Sequence, residues 1–143
     1  MTRSSASFLE KYRQHALPGI PRGAGQIHPF YDGYSIANLP AGICAWLGCP
    51  LPSARPLAAE FSGAFSASYR HVIFILVDGL GWDSLQSLQE NDRAPAWEAL
   101  LQSGQLLPLT SVAPSTTSAA LTTLWTARQP AEHGIIGYEM FLK

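Results

Sequence analysis

The stretch Leu106–Tyr138, LLPLTSVAPSTTSAALTTLWTARQPAEHGIIGY, constrains the fold more than any other part of the chain. An apolar run, Leu106–Val112, leads into Pro114, Ser115, Thr116 and Thr117. A helical period follows, with Leu121, Leu124 and Trp125 at i, i+3 and i+4. This predicts a strand, a turn and a helix that starts on hydroxyl side chains. Ser and Thr placed there accept hydrogen bonds from the first free N–H groups of a helix. The same helix end, with its unpaired donors and positive dipole, can also hold a phosphate. Capping is the commoner use, so the stretch alone specifies the unit and only permits an anion site. Pro108 cannot donate to a sheet ladder, so the strand begins after it, bulges there or lies at an edge.

The second constraint lies upstream, in His71–Asp83, HVIFILVDGLGWD. Six apolar residues, Val72–Val77, predict a buried strand that closes on Asp78 and Gly79. A carboxylate at the carboxyl end of a strand, beside a glycine turn, is where open α/β sheets place ligand-handling groups. Capping the next helix or shaping the turn is the simpler role for Asp78. Trp82, Leu85 and Leu88 predict a short amphipathic helix. Pro95 opens another, with Trp97, Leu100 and Leu101 on one face and a stop near Gly104. The order strand–helix–helix–strand–helix gives an α/β class, a parallel sheet flanked by helices.

Two strands, with a third starting at Glu139–Lys143, make a poor sheet. The chain stops as that apolar run begins. Its composition, 47% hydrophobic and 13% charged, suits a piece with a missing partner surface. The expectation is an N-terminal portion of a longer protein whose remainder completes the sheet. Residues 71–143 would be the first part of that α/β domain, and residues 1–70 an N-terminal helical and irregular arm.

Within the arm, Ser7-x-x-Glu10 has a capping-box pattern, and Phe8, Leu9 and Tyr12 give one face to a short helix ended by Pro18 and Gly19. Residues 17–33 are rich in Pro and Gly and predict an irregular surface segment. Leu39, Ile43, Trp46 and Leu47 repeat at helical spacing before Gly48 and Pro50. Residues 50–70 read as a linker. Tyr31, Asp32 and Asn38 read as turn and packing residues. Cys44 and Cys49 match no zinc or redox spacing and read as buried thiols. The four tryptophans read as core.

Together the VDG after an apolar strand, the Pro114-x-x-Thr117 turn, the helix and the closing His133-Gly134-Ile135 resemble the type I phosphodiesterase/nucleotide pyrophosphatase family, of the alkaline phosphatase superfamily. The matching segments are His71–Asp83 and Ser111–Tyr138. YDGYSIANL, Tyr31–Leu39, is also similar to an N-terminal segment of bacterial members. The resemblance implies an alkaline-phosphatase-like fold and hydrolysis of phosphodiesters or other phosphate esters with two zinc ions. It implies Thr117 as nucleophile and zinc ligand, and Asp78 as a ligand of the same zinc. Thr116 and Ser118 flank Thr117, and the register among the three stays open at this point. Family members complete the metal site with Asp and His residues further along the chain, so these 143 residues alone are expected to be inactive. Ala120 stands where nucleotide pyrophosphatases often carry a phosphate-contacting Asn, and Ala119 stands where they carry a proline. A nucleotide preference is therefore not implied. His133 reads as a turn residue in preference to a zinc ligand.

Other classes leave fewer traces. There is no Cys/Ser-x-Pro-x-Arg sulfatase signature and no Gly-x-Ser-x-Gly elbow. Another hydrolase or mutase of the superfamily is the nearer alternative. A non-catalytic, truncated relative that acts as a binding module is the further one. A net charge of −1 offers no field for a nucleic-acid polymer. The N-terminus lacks a signal-peptide apolar region, and no run is long enough to span a bilayer. A cytoplasmic protein acting on a small phosphate ester is the resulting expectation.

Overall fold

The computed structural model describes residues 3–65, 68–91, 93 and 95–139. Helices are α1 (Arg3–Gln14), α2 (Leu39–Trp46), α3 (Ala59–Ser62), α4 (Trp82–Glu90), α5 (Pro95–Ser103), α6 (Thr117–Thr126) and α7 (Pro130–His133), with a 3-10 turn at Ile36–Asn38. The periodicities at Leu39, Trp82, Pro95 and Leu121 all become helices. Helix α1 begins earlier than the capping-box pattern predicts, so Ser7 lies inside it, and Glu10 accepts a bond from Gln14.

The parallel sheet is not there. Among the described residues there is no strand, and the expected pair, 72–77 and 106–112, does not form a ladder. The segment 106–112 is extended, but its neighbour is 34–36. Ser35 and Thr110 make one parallel bridge, with Ile36 N donating to Thr110 O at 2.9 Å and Thr110 N donating to Tyr34 O at 2.8 Å. Pro108 lacks the N–H that would extend this pairing. Among the described residues Val72–Val77 joins no ladder; Ile73 is 87% and Ile75 79% exposed, whereas Phe74, Leu76 and Val77 border clefts beside α6. An apolar run specifies burial, but sheet formation needs partner strands on its edges. The third predicted strand, at Glu139–Lys143, falls almost wholly outside the described residues.

The main core lies in residues 1–70. Phe8 and Tyr12 of α1 pack with Tyr34, Leu57 and Phe61, and Leu107 and Leu109 close one side. Phe8 stacks on Phe61 with ring centroids 4.7 Å apart. Tyr12 Oη donates to Pro108 O at 2.6 Å, which ties α1 to the segment that leads into the Pro-Ser-Thr-Thr turn. Phe61, 1% exposed, comes from the stretch that reads as a linker, so α3 is a core element. A second, smaller cluster of Ala37, Val112 and Ala119 seats the first turn of α6 against the 3-10 turn.

Asn38 organises the loop between these clusters. Its Oδ1 accepts from Gly33 N at 3.2 Å and Ser35 N at 3.1 Å; its Nδ2 donates to Tyr31 O at 2.9 Å and Arg55 O at 3.2 Å. The side chain is 2% exposed, so these bonds replace water almost completely. Tyr31 Oη accepts from Ala113 N at 3.1 Å and so fastens this loop to the residue before Pro114. Both cysteines are free, but Cys44 is half-buried and Cys49 exposed, where buried thiols were expected.

Candidate functional site

Helix α6 starts as its sequence predicts. Thr116 has extended φ/ψ, and its Oγ1 accepts from Ala119 N at 3.3 Å, the geometry of an N-cap. Thr117 is the first helical residue. Its N–H and that of Ser118 have no partner among the described residues, as befits a first turn. The buried face of α6 is small and polar, with Ala119 and Thr123 fully covered. Trp125, expected in the core, is 80% exposed. Close approach of the helix to its neighbours selects Ala and Thr for the covered side, leaves Leu121 and Leu124 half-buried and turns Trp125 outward.

Asp78 follows the apolar run and turns on Gly79, whose φ of +74° is left-handed. Asp78 Oδ1 accepts from Gly79 N at 2.9 Å, which orients the carboxylate. Its other oxygen, Oδ2, accepts from Thr117 Oγ1 at 3.2 Å. Two residues 39 apart in sequence therefore meet at the N-terminus of a helix. The neighbouring hydroxyls are engaged elsewhere. Thr116 Oγ1 donates to Ile136 O at 3.2 Å, and Ser118 Oγ donates to Gly137 O at 2.9 Å. Tyr138, which sequence reasoning did not single out, donates from Oη to Thr117 Oγ1 at 3.1 Å. No local pattern marks it; only the return of the chain along α6 brings it in. A cleft of about 260 Å³ opens beside the pair, lined by Leu39, Phe74, Val77, Ser111 and Ser115 among others.

That return is pinned by His133. Ile135 N donates to His133 Nδ1 at 3.0 Å, so Nδ1 carries no hydrogen and Nε2 does. Nε2 then donates to the buried Thr123 Oγ1 at 3.1 Å. Both ring nitrogens are engaged within the chain, so His133 straps α7 to α6 and has no free nitrogen for a metal. Asp78 and Thr117 oxygens are of a type zinc accepts. They supply two donors where zinc ordinarily takes at least three from protein. Among the described residues there is no cluster of three or more His, Cys, Asp or Glu able to hold a metal. The pair fits as part of a donor set and does not complete one.

A hydroxyl directed at a carboxylate, beside free helical N–H groups, can present an oxygen nucleophile to an anionic centre. The family model described as Type I phosphodiesterase / nucleotide pyrophosphatase matches residues 72–143, which include Asp78, Thr117, His133 and Tyr138. The chain belongs to that family. It is a family of phosphoester hydrolases within the alkaline phosphatase superfamily. No curated protein and no solved structure matches the chain significantly. Among the described residues, no helix of this family member is long and apolar enough to cross a membrane.

Proposed function

We propose that this protein hydrolyses small phosphate esters, phosphodiesters foremost, with Thr117 as the nucleophile. The observation that carries the reading is the bond from Thr117 Oγ1 to Asp78 Oδ2 at the first turn of α6. The engagement of Thr116 and Ser118 with the backbone of 136 and 137 favours Thr117 among the three hydroxyls. In the first step Thr117 Oγ1 forms a bond to phosphorus as the ester oxygen departs. Asp78 holds the hydroxyl proton on the side away from the substrate. The free N–H groups of Thr117 and Ser118 face the charge on the phosphoryl oxygens. Water then releases the phosphoryl group from the threonine, as a phosphomonoester when the substrate is a diester.

Asp78 and Thr117 would be two ligands of a divalent cation. Zinc is the expected metal and two ions the expected number, with further donors required. Such an ion, when bound, supplies a lowered hydroxyl pKa and neutralises developing charge. The setting of this reading is the cytoplasm, in keeping with two cysteines present as free thiols.

The test uses the protein expressed from its whole reading frame and a bis-aryl phosphodiester. Thr117→Ala is expected to lower kcat by about a thousandfold or more, since it removes the attacking atom. Thr116→Ala and Ser118→Ala should keep most activity. Asp78→Asn should lower the zinc content read by atomic emission. Full turnover by Thr117→Ala would end the reading.

A further inference from the structure

Three consecutive hydroxyl residues at the start of α6 are bonded to three consecutive residues of the return segment. Thr116 meets Ile136 O, Ser118 meets Gly137 O, and Thr117 meets the phenol of Tyr138. The His133 strap holds the same segment two turns further along the helix. These contacts fix the backbone up to the residue before Tyr138. The ring itself is 76% exposed and has no core packing to explain its direction. Among the described residues its hydroxyl makes one hydrogen bond, to the oxygen assigned the attack.

The proton inventory at this oxygen is definite. A threonine hydroxyl has one hydrogen and two lone pairs. The hydrogen is directed to Asp78 Oδ2 and one lone pair receives the Tyr138 hydrogen; loss of the Thr117 hydrogen frees a third pair, so the alkoxide would keep the Tyr138 bond with one pair for a cation and one for phosphorus. A donor on a nucleophile weakly restrains attack, but the same donor aids the reverse event. When water displaces the threonine from phosphorus, Thr117 Oγ1 becomes the leaving oxygen and gathers negative charge. A fixed donor aimed there stabilises that charge.

We propose that Tyr138 is a catalytic residue of the second step, the hydrolysis of the phosphoryl–Thr117 intermediate, which retains the second ester group when the substrate is a diester. The inference rests on Thr117 being the nucleophile. In that step the water oxygen–phosphorus bond forms and the phosphorus–Oγ1 bond breaks. The electron pair of the broken bond goes to Thr117 Oγ1, under the Tyr138 hydroxyl. Water gives up one proton to solvent, and Thr117 regains one.

Tyr138→Phe removes only the hydroxyl. With the zinc-loaded protein and a bis-aryl phosphodiester, kcat is expected to fall about tenfold to a hundredfold. KM should fall with it, because slowing a second step lowers both. Quenched reactions analysed by mass spectrometry should show Thr117 carrying the aryl phosphoryl group, with one aryl ester retained, accumulating in Tyr138→Phe and not in the wild type. A merely structural role would lower turnover without trapping the phosphorylated form. A readout without substrate is the fluorine NMR signal of meta-fluorotyrosine at position 138. It should shift on Thr117→Val and hold still on Thr122→Val.

If Thr117→Ala turns over normally, the functional reading fails and Tyr138 with it. If Thr117→Ala is inactive while Tyr138→Phe keeps wild-type kcat and traps nothing, Tyr138 alone is refuted. A fluorine signal unmoved by Thr117→Val would refute the contact itself.

Discussion

Asn38→Ala isolates the part of the fold that holds the site in place. The amide fills a buried position and satisfies two N–H donors and two carbonyls, those of Gly33, Ser35, Tyr31 and Arg55. Alanine satisfies none of them. At about 0.5–1 kcal/mol for each bond lost, the four together amount to about 2–4 kcal/mol. The pocket left behind is polar, so water can recover some of this, which places the expected loss near 3 kcal/mol. For a chain of this length that corresponds to a fall in Tm of about 10 °C. Urea unfolding followed by tryptophan fluorescence measures it directly, since Trp46 is half-buried beside Phe65 at a centroid distance of 4.6 Å. Asn38→Asp sharpens the result. It keeps the acceptor for Gly33 and Ser35 but turns a second oxygen on two carbonyls, so it should lose at least half as much. A loss under about 1 kcal/mol for Asn38→Ala would show that the loop 31–38 is held by its packing and not by this amide.

Other perturbations test separate joints. Gly33 has φ +99°, and a Cβ there would lie 2.6 Å from Ala58 N; Gly33→Ala should therefore cost more than about 2 kcal/mol in urea unfolding. His133→Ala should destabilise by about 1–3 kcal/mol, because it leaves the buried Thr123 hydroxyl without its partner, while the zinc content of the protein stays unchanged. A fall in zinc would make His133 a ligand. Stability should also decline on the alkaline side. Burial, its largest cause, raises the pKa of Tyr12 above the ordinary 10.0, and burial likewise raises Tyr31. The Tyr34 hydroxyl raises Lys11 above 10.5. A group whose folded pKa is raised contributes stability that is complete below its unfolded pKa and is lost as pH rises toward the folded one. Urea midpoints should thus fall above about pH 10, and less steeply in Tyr12→Phe. On the acid side Glu60, held low first by the Tyr34 hydroxyl, contributes stability that is lost as pH drops below the usual carboxylate range.

Helix positions were legible because each rests on a local period and local stops. Pro95 opens α5, and Gly48 with φ +78° ends α2 where the pattern stops. The cap at Thr116 was legible for the same reason: a hydroxyl before an apolar period satisfies donors only three residues away. The neighbourhood of Asp78 and Thr117 was legible only through motif order. Nothing local to either residue requires the other. What failed were inferences about burial. Trp125 and Val72–Val77 are apolar and were expected inside, whereas Phe61 is buried from a stretch that looked like linker.

The reason lies in the range of the forces. Periodicity, caps and glycine turns act over one or two helical turns, so the chain encodes α1, α2 and α4–α6 one segment at a time. Sheet pairing and side-chain burial depend on which distant segment arrives as a neighbour. Here 106–112 takes 34–36 as its partner, through the bonds at Thr110, and 72–77 joins no ladder among the described residues. The same long-range arrangement, through the His133 strap and the bonds at Ile136 and Gly137, sets the Tyr138 hydroxyl on Thr117. The sequence by itself determined α1, α2 and α4–α6, the hydroxyl-capped start of α6 and the family. Tertiary contact alone decided what faces Thr117, because those partners are separated along the chain and meet only after the loops between them have closed.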